Sequence, residues 1–432
     1  MTRPHRPDID MTGNAAPLRL GLIGLFGSGN FGNDGSLEAM ISHLRQAHPG
    51  AELLTICNGP GTVQSHYATP AIAMATFPFG APHSLAGKIF KLLPAKIVDF
   101  VRALNTTRRL DAVIAPGTGL LDDFMTGPLG IPLDLLIWSL AARLTGTKLY
   151  LVSIGAGPLV TPVNRYLMVS AARLANWRSY RDQGSKTFLA RQGVDTSRDP
   201  IYPDIAFGLT PPPVSRRPPA SAPLCVGLGV MSYRGWKDRG DRSKAIYERY
   251  LQKLTEFALW LLQNGHRIRL LTGDASDRET AAAFHARITA AMPDKSLIDV
   301  ELPDTETLHD VMGEMASTDV IVATRFHNIV CALKVRKPVL SIGYAQKNAL
   351  LLAAAGLDAY CVEIESFSVT DLKQRFQRMI AAKPDLEARI DLMLEDAGRQ
   401  LEQQYDVLDG LLAGLRTSQR SPKPTRSVVP QA

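Results

Sequence analysis

The segment TPPPVSRRPPASAP, Thr210 to Pro223, places six prolines in a polar stretch near the middle of the chain. Proline lacks the backbone N–H and fixes φ, so this stretch is neither helix nor central strand. It reads as an interdomain linker. A chain of 432 residues also exceeds the size at which one hydrophobic core keeps growing. The expected division is therefore 18–209, a linker 210–223, and 224–383. A C-terminal amphipathic helix follows over 384–416, and polar, disordered tails are expected at 1–17 and 417–432.

On both sides of the linker, short β-branched runs ending in glycine or a polar residue alternate with longer helical patterns, the signature of βαβ units and a parallel sheet. Strands are predicted at Leu18–Leu25, Leu53–Cys57, Ala112–Ala115, Lys148–Ile154 and Trp177–Tyr180, then at Leu224–Val230, Arg267–Thr272, Leu297–Leu302, Asp319–Ala323 and Val339–Ile342. The fold class that follows is α/β, with two Rossmann-like domains facing across a cleft. From Leu386 to Leu415 apolar residues recur every three or four positions, which predicts an amphipathic helix packed on the domains.

Forty-eight Lys and Arg against 41 Asp and Glu give a net charge of +7. Arg416, Arg420, Lys423 and Arg426 in the tail and Arg216 and Arg217 in the linker supply all but one of these charges, so no basic face for nucleic acid is expected. The basic tail is instead a candidate for peripheral contact with anionic lipid. Apolar runs stop well short of the ~20 residues of a membrane-spanning helix, and the first 17 residues lack the apolar core of a secretory signal. A cytoplasmic protein is expected. Cys57, Cys225, Cys331 and Cys361 lie far apart in apolar runs and read as buried free thiols.

Residues Gly27 to Gly32 fit the G-x-G-x-x-G spacing of a dinucleotide turn. Such a site also needs an acidic residue at the end of the second strand, roughly 20 residues on, to hold the ribose. Here the strand Leu53–Cys57 is followed by Asn58-Gly59-Pro60, so NAD and NADP are not expected. The turn carries Asn30, Gly32, Asn33 and Asp34, which suit a phosphate or sugar hydroxyls; a turn that only lets a helix pack on the strand is the alternative. Gly117-Thr118-Gly119 and Gly155-Ala156-Gly157 also follow predicted strands, and three such turns would line one sheet edge.

The most informative segment is DVIVATRFHNIVCALKVRKPVLSIGYAQKN, Asp319 to Asn348. Thr324 to His327 is expected as the turn at a strand's carboxyl end, with a helix from Asn328 to Val335. In extended backbone Arg325 and His327 share one side and Phe326 takes the other. The next strand releases Tyr344 and Lys347 at the same edge, and Arg181 follows the strand Trp177–Tyr180. These cations suit a small dianion, because guanidinium bonds two oxygens at once. A buried, hydrogen-bonded histidine and an arginine ion-paired to Asp319 or another acid are the alternatives. Trp236, in the loop Ser232–Lys244, is a candidate for stacking on a sugar. No P-loop, H-E-x-x-H or G-x-S-x-G pattern occurs, so no metal site is indicated.

The Asn30-Phe31-Gly32 turn, GTGLLDD at Gly117, IGAGP at Ile154, RDQGSKTFLARQGV at Arg181, PDIAF at Pro203, and RFHNIVCAL with KPVLSIGYAQK from Arg325 to Lys347 resemble the polysaccharide pyruvyl transferase family over most of Leu18 to about Glu365. Asn33 between Gly32 and Asp34, and Thr118 for a middle glycine, depart from the family pattern. The resemblance implies a GT-B-like fold and a transferase using phosphoenolpyruvate as donor substrate, with no cofactor. The donor's carbons would join two hydroxyls of a sugar as a pyruvate ketal during exopolysaccharide biosynthesis. It further implies Arg181, Arg325 and Lys347 on phosphoenolpyruvate, His327 as general acid/base, and a lipid-linked oligosaccharide acceptor at the inner face of the membrane. A nucleotide-sugar glycosyltransferase of the same architecture, or a non-catalytic glycan- or phosphate-binding protein, are the competing readings.

Overall fold

A computed structural model describes residues 17–76, 93–123, 126–213, 223–235, 240–292 and 294–420. The expectations for residues 1–16, for 214–222 of the linker, for Trp236 and for the tail from 421 onward lie outside these residues.

The first sheet comprises β1 (Arg19–Ile23), β2 (Glu52–Cys57), β3 (Ala71–Ala73), β4 (Ala112–Pro116), β5 (Lys148–Ile154) and β6 (Trp177–Tyr180), in the order β3-β2-β1-β4-β5-β6. The second comprises β7 (Cys225–Gly229), β8 (Arg267–Leu271), β9 (Val300–Glu301), β10 (Val320–Ala323), β11 (Val339–Gly343) and β12 (Cys361–Glu363), in the order β12-β11-β10-β7-β8-β9. All neighbouring strands are parallel. Each half therefore has the doubly wound order, with its direction reversing between β1 and β4 and between β7 and β10. The crevice outside the carboxyl ends of those pairs is where such sheets bind ligands.

Among the described residues, the helices of the first half are α1 (Phe31–Ala47), α2 (Pro60–Tyr67), α3 (Leu93–Thr107), α4 (Ile131–Thr145), α5 (Pro162–Leu174) and α6 (Gln183–Arg191). Those of the second are α7 (Gly240–Gln263), α8 (Arg278–Ala291), α9 (Leu308–Ala316), α10 (Phe326–Lys334), α11 (Gln346–Ala354) and α12 (Val369–Ala381). The edge strands β3 and β12 escape a sequence reading because three residues carry no period. The predicted strand Leu297–Leu302 shrinks to Val300–Glu301, since Asp294 accepts from the Ser296 N–H and winds Lys295–Leu297 into a 3-10 turn.

The C-terminal helix α13 (Lys383–Arg420) extends beyond the 384–416 read from the sequence. It spans the molecule. Leu386 and Ile390 are buried near its start, and Leu401, Leu408 and Leu412 further along; each full burial stabilises by about 1.5–3 kcal/mol. Farther along it reaches the first domain: Gln404 Oε1 accepts from Ser153 Oγ at 2.9 Å and Ser179 Oγ at 2.8 Å. Asp409 pairs with His43 at 3.1 Å and His48 at 2.8 Å. The helix thus ties the two domains together.

Candidate active site

A cavity of about 440 Å³ opens between the domains and is lined by the loops after β1, β4, β6, β7, β8, β10 and β11. It continues into a second space of about 330 Å³ beside Gly155–Gly157 and a third of about 320 Å³ beside α13, and Arg181 and Lys347 line all three. Those two cations stand at the junction of the cleft.

The turn after β1 is built from glycine for a geometric reason. Gly27 and Gly29 have φ of +68° and +89°, where an L side chain is strained. Asp34 does not face the cleft, contrary to its expected place among the substrate ligands. It is buried, its Oδ1 accepts from the Gly27 N–H at 2.7 Å, and burial pushes its carboxyl up to about 6. Asn30 caps α1 by accepting from the Asn33 N–H at 3.1 Å, and its Nδ2 donates to Asp274 of the second domain at 3.0 Å. Backbone bonds add to this joint: the Ala275 N–H donates to Gly29 at 2.8 Å and the Phe31 N–H to Gly273 at 3.3 Å. Much of the turn's polar chemistry therefore holds the domains in register. Asn30 and Asn33 still line the cleft.

The other two glycine turns follow β4 and β5. Gly119 lines the cleft, as do Gly155 and Gly157 in its side space, whereas Gly117 and Thr118 do not. Thr118 is buried at φ +70° and its carbonyl accepts from the Gly155 N–H at 2.8 Å, so it braces the two turns against each other.

Helix α10 begins at Phe326, not Asn328, so the alternation argued from extended backbone fails: Arg325 is the N-cap, and Phe326 and His327 are its first turn. All three line the cavity. Arg181 stacks over the Phe326 ring at 4.5 Å, and Lys347 lies 5.8 Å from the same ring and 5.0 Å from that of Tyr344. The ring holds two cations side by side beside the N-terminus of a helix, where free N–H groups favour an anion.

Arg325 behaves as the ion-pair alternative, with Asp277 in place of Asp319. Its Nε and Nη2 donate to Asp277 Oδ2 and Oδ1, both at 2.8 Å, and Nη1 lies 3.5 Å from Asp274. The fork is occupied by a fully buried carboxylate, which itself accepts from the Ser232 N–H. The expected two-bond grip of Arg325 on a substrate is corrected accordingly. Arg181 is held less tightly: Nη1 donates to Asp204 at 3.2 Å, while Nε is buried 3.6 Å from Asp182 Oδ2, an ion pair without a hydrogen bond. Among the described residues Lys347 has no carboxylate within ion-pair reach.

His327 sits against Gly32, where a Cβ would fall 1.8 Å from its Nδ1. Its Nε2 lies 3.8 Å from Asp204 Oδ2 and has no hydrogen-bond partner. Burial lowers its pKa to about 4; Asp204 opposes this, and Arg181, Lys347 and Arg325 add to it. The imidazole is neutral at pH 7, not poised near neutrality. An anion seated between the cations would cancel their push and raise that pKa.

Four acids of the site, Asp122, Asp204, Asp274 and Asp277, carry no signal of their own in the sequence. Asp204 and Asp122 lie within quoted motifs, PDIAF and GTGLLDD, and only the packing shows that Asp204 serves both Arg181 and His327.

A family model described as polysaccharide pyruvyl transferase matches residues 30–346. No match to the chain was found among curated proteins. Solved structures with a similar fold include HepE of Anabaena in complex with UDP and glucose, at 13% identity and TM-score 0.56, covering 92% of this chain and 100% of that one. The MnaA protein of S. aureus solved with UDP is 11% identical with TM-score 0.57, covering 86% and 90%. A glycosyltransferase of Rickettsia africae is 13% identical with TM-score 0.57, covering 95% and 100%. These likenesses define the fold as GT-B.

Proposed function

The chain belongs to the polysaccharide pyruvyl transferase family, and from that premise we propose that it transfers the enolpyruvyl carbons of phosphoenolpyruvate to two hydroxyls of one sugar, giving a pyruvate ketal and inorganic phosphate. The observation that carries this reading is the pair Arg181 and Lys347 on the Phe326 ring, beside a neutral His327 and a helix N-terminus. A compact donor with a phosphate and a carboxylate suits two neighbouring cations.

The chemistry balances without a redox partner. Donor binding brings negative charge to the cations and raises the pKa of His327, which then delivers a proton to the methylene carbon. A sugar hydroxyl adds to C2 and its proton returns to the imidazole. The bond from C2 to the phosphate oxygen breaks, Arg181 and Lys347 stabilising the charge on the leaving group. The second hydroxyl then adds to C2 and its proton departs with the phosphate. The acceptor is proposed to be a lipid-linked oligosaccharide met at the inner face of the membrane. Among the described residues no helix is long and apolar enough to cross a membrane.

Two arginine variants separate donor binding from architecture. Arg181→Lys keeps the charge and loses the planar guanidinium fork, so phosphoenolpyruvate affinity should fall ten- to a hundredfold, about 1.5–3 kcal/mol for one charge-assisted bond. Arg325→Lys should act mainly on stability, because it leaves buried Asp277 short of a partner. Titration calorimetry and thermal unfolding of both variants check this. A large affinity loss confined to Arg325→Lys would return the donor to Arg325, and saturation by a UDP-sugar with no response to phosphoenolpyruvate would favour the glycosyltransferase reading.

A further inference from the structure

Of the thirteen large apolar side chains exposed among the described residues, nine lie on one side of the first domain. Ile97, Val98 and Val101 stand on α3, Leu140 and Leu144 on α4, and Val163 and Tyr166 on α5. Leu129 and Val160 are in the loops leading into α4 and α5. The three helices pack side by side, so these residues form one face. Monomeric proteins rarely leave that much apolar surface together without a use for it.

The charges on this face are of one sign. Arg143, Arg165 and Arg173 are exposed on α4 and α5, and Arg108 and Arg109 follow α3. The only acids on the three helices, Asp99 and Asp134, are buried and both lie within ion-pair reach of Lys96. A second copy of the chain is a poor occupant, since two-fold pairing of this face would set arginines against arginines. Apolar side chains among cations, with no exposed acid, match the boundary between headgroups and acyl chains of an anionic bilayer.

The position of the face is consistent with that use. Helices α4 and α5 start at the carboxyl edge of the first sheet, the edge that carries the cleft. Asp123 accepts from the N–H groups of Val160 and Thr161, both at 3.0 Å, and Gly157 and Pro158 just before them line the cleft. The apolar surface thus begins at the rim of the active site.

We propose that the outer face of α3, α4 and α5 docks on an anionic phospholipid surface and brings the cleft to a lipid-anchored acceptor. The acceptor clause rests on the pyruvyl transferase reading; the docking does not. Residues 417–432, whose charge alone suggested lipid contact, are then secondary.

The test is flotation of the full-length protein with vesicles of phosphatidylethanolamine and phosphatidylglycerol, and separately with phosphatidylcholine alone. The wild type should float with the anionic vesicles, less at high salt, and hardly with phosphatidylcholine. Val98→Asp, Val163→Asp and Tyr166→Asp combined should cut the bound fraction about tenfold or more, because each puts an acid where an apolar chain would enter the interface. All three positions are exposed, and an unchanged melting temperature verifies folding. Removing 417–432 should leave most of the binding. The proposal is overturned if the triple variant floats like wild type, if removing the tail alone abolishes flotation, or if sedimentation shows a dimer that the triple variant dissolves. Flotation needs no turnover, so its outcome is independent of the donor assignment.

Discussion

His327→Ala is expected to lower turnover by on the order of 10² or more while leaving phosphoenolpyruvate affinity within a few-fold of wild type. General acid/base help is exerted in the transition state, and its loss appears in kcat and not in ground-state binding. The free protein holds His327 neutral, with a pKa near 4 set first by burial, so donor binding at pH 7 should draw a proton onto it. Calorimetry in two buffers of different ionisation enthalpy reads that uptake. Wild type should take up a measurable fraction of a proton more than His327→Ala. Equal uptake, or wild-type turnover in the variant, would leave a buried histidine with no part in the chemistry.

Gly32→Ala is the second large effect, and its sign is diagnostic. Within a helix, alanine in place of glycine ordinarily stabilises by about 1 kcal/mol. Here the new methyl would fall 1.8 Å from His327 Nδ1 and 2.2 Å from its Cγ. Those atoms are close to the backbone of α10 and have little room to swing, so the ring must turn or the domains part. The variant should lose activity as His327→Ala does and lose about 1–3 kcal/mol of stability through overpacking. Unfolding midpoints and turnover together check it; a variant more stable than wild type and fully active would mean that the two elements do not meet.

Much of this was legible in the chain. Strands Lys148–Ile154 and Trp177–Tyr180 have the bounds read from the sequence, because their runs stop at glycine or at a charge. The rule that ligands gather at the carboxyl ends of parallel strands located Arg181, Arg325, His327 and Lys347 together. What spacing does not carry is which acid meets which base. Asp277 lies 48 positions before Arg325 on a different loop, and Asp204 meets His327 only when the two domains dock. The same docking makes the first glycine turn, through Gly29, Asn30 and Phe31, a joint as well as part of the cleft wall. Nor does a sequence report the burial that lowers the pKa of His327.

The central claim, that the cleft makes a ketal from phosphoenolpyruvate and a sugar diol, is tested most directly by following phosphate release across a panel of lipid-linked oligosaccharides while weighing the glycan product. The account predicts phosphate release that depends on the acceptor, one phosphate for each glycan that gains a pyruvyl ketal, and no release with His327→Ala beyond the residual rate. Phosphate release at the same rate without any acceptor, or a glycan extended by a sugar from a UDP donor while phosphoenolpyruvate stays intact, would contradict it.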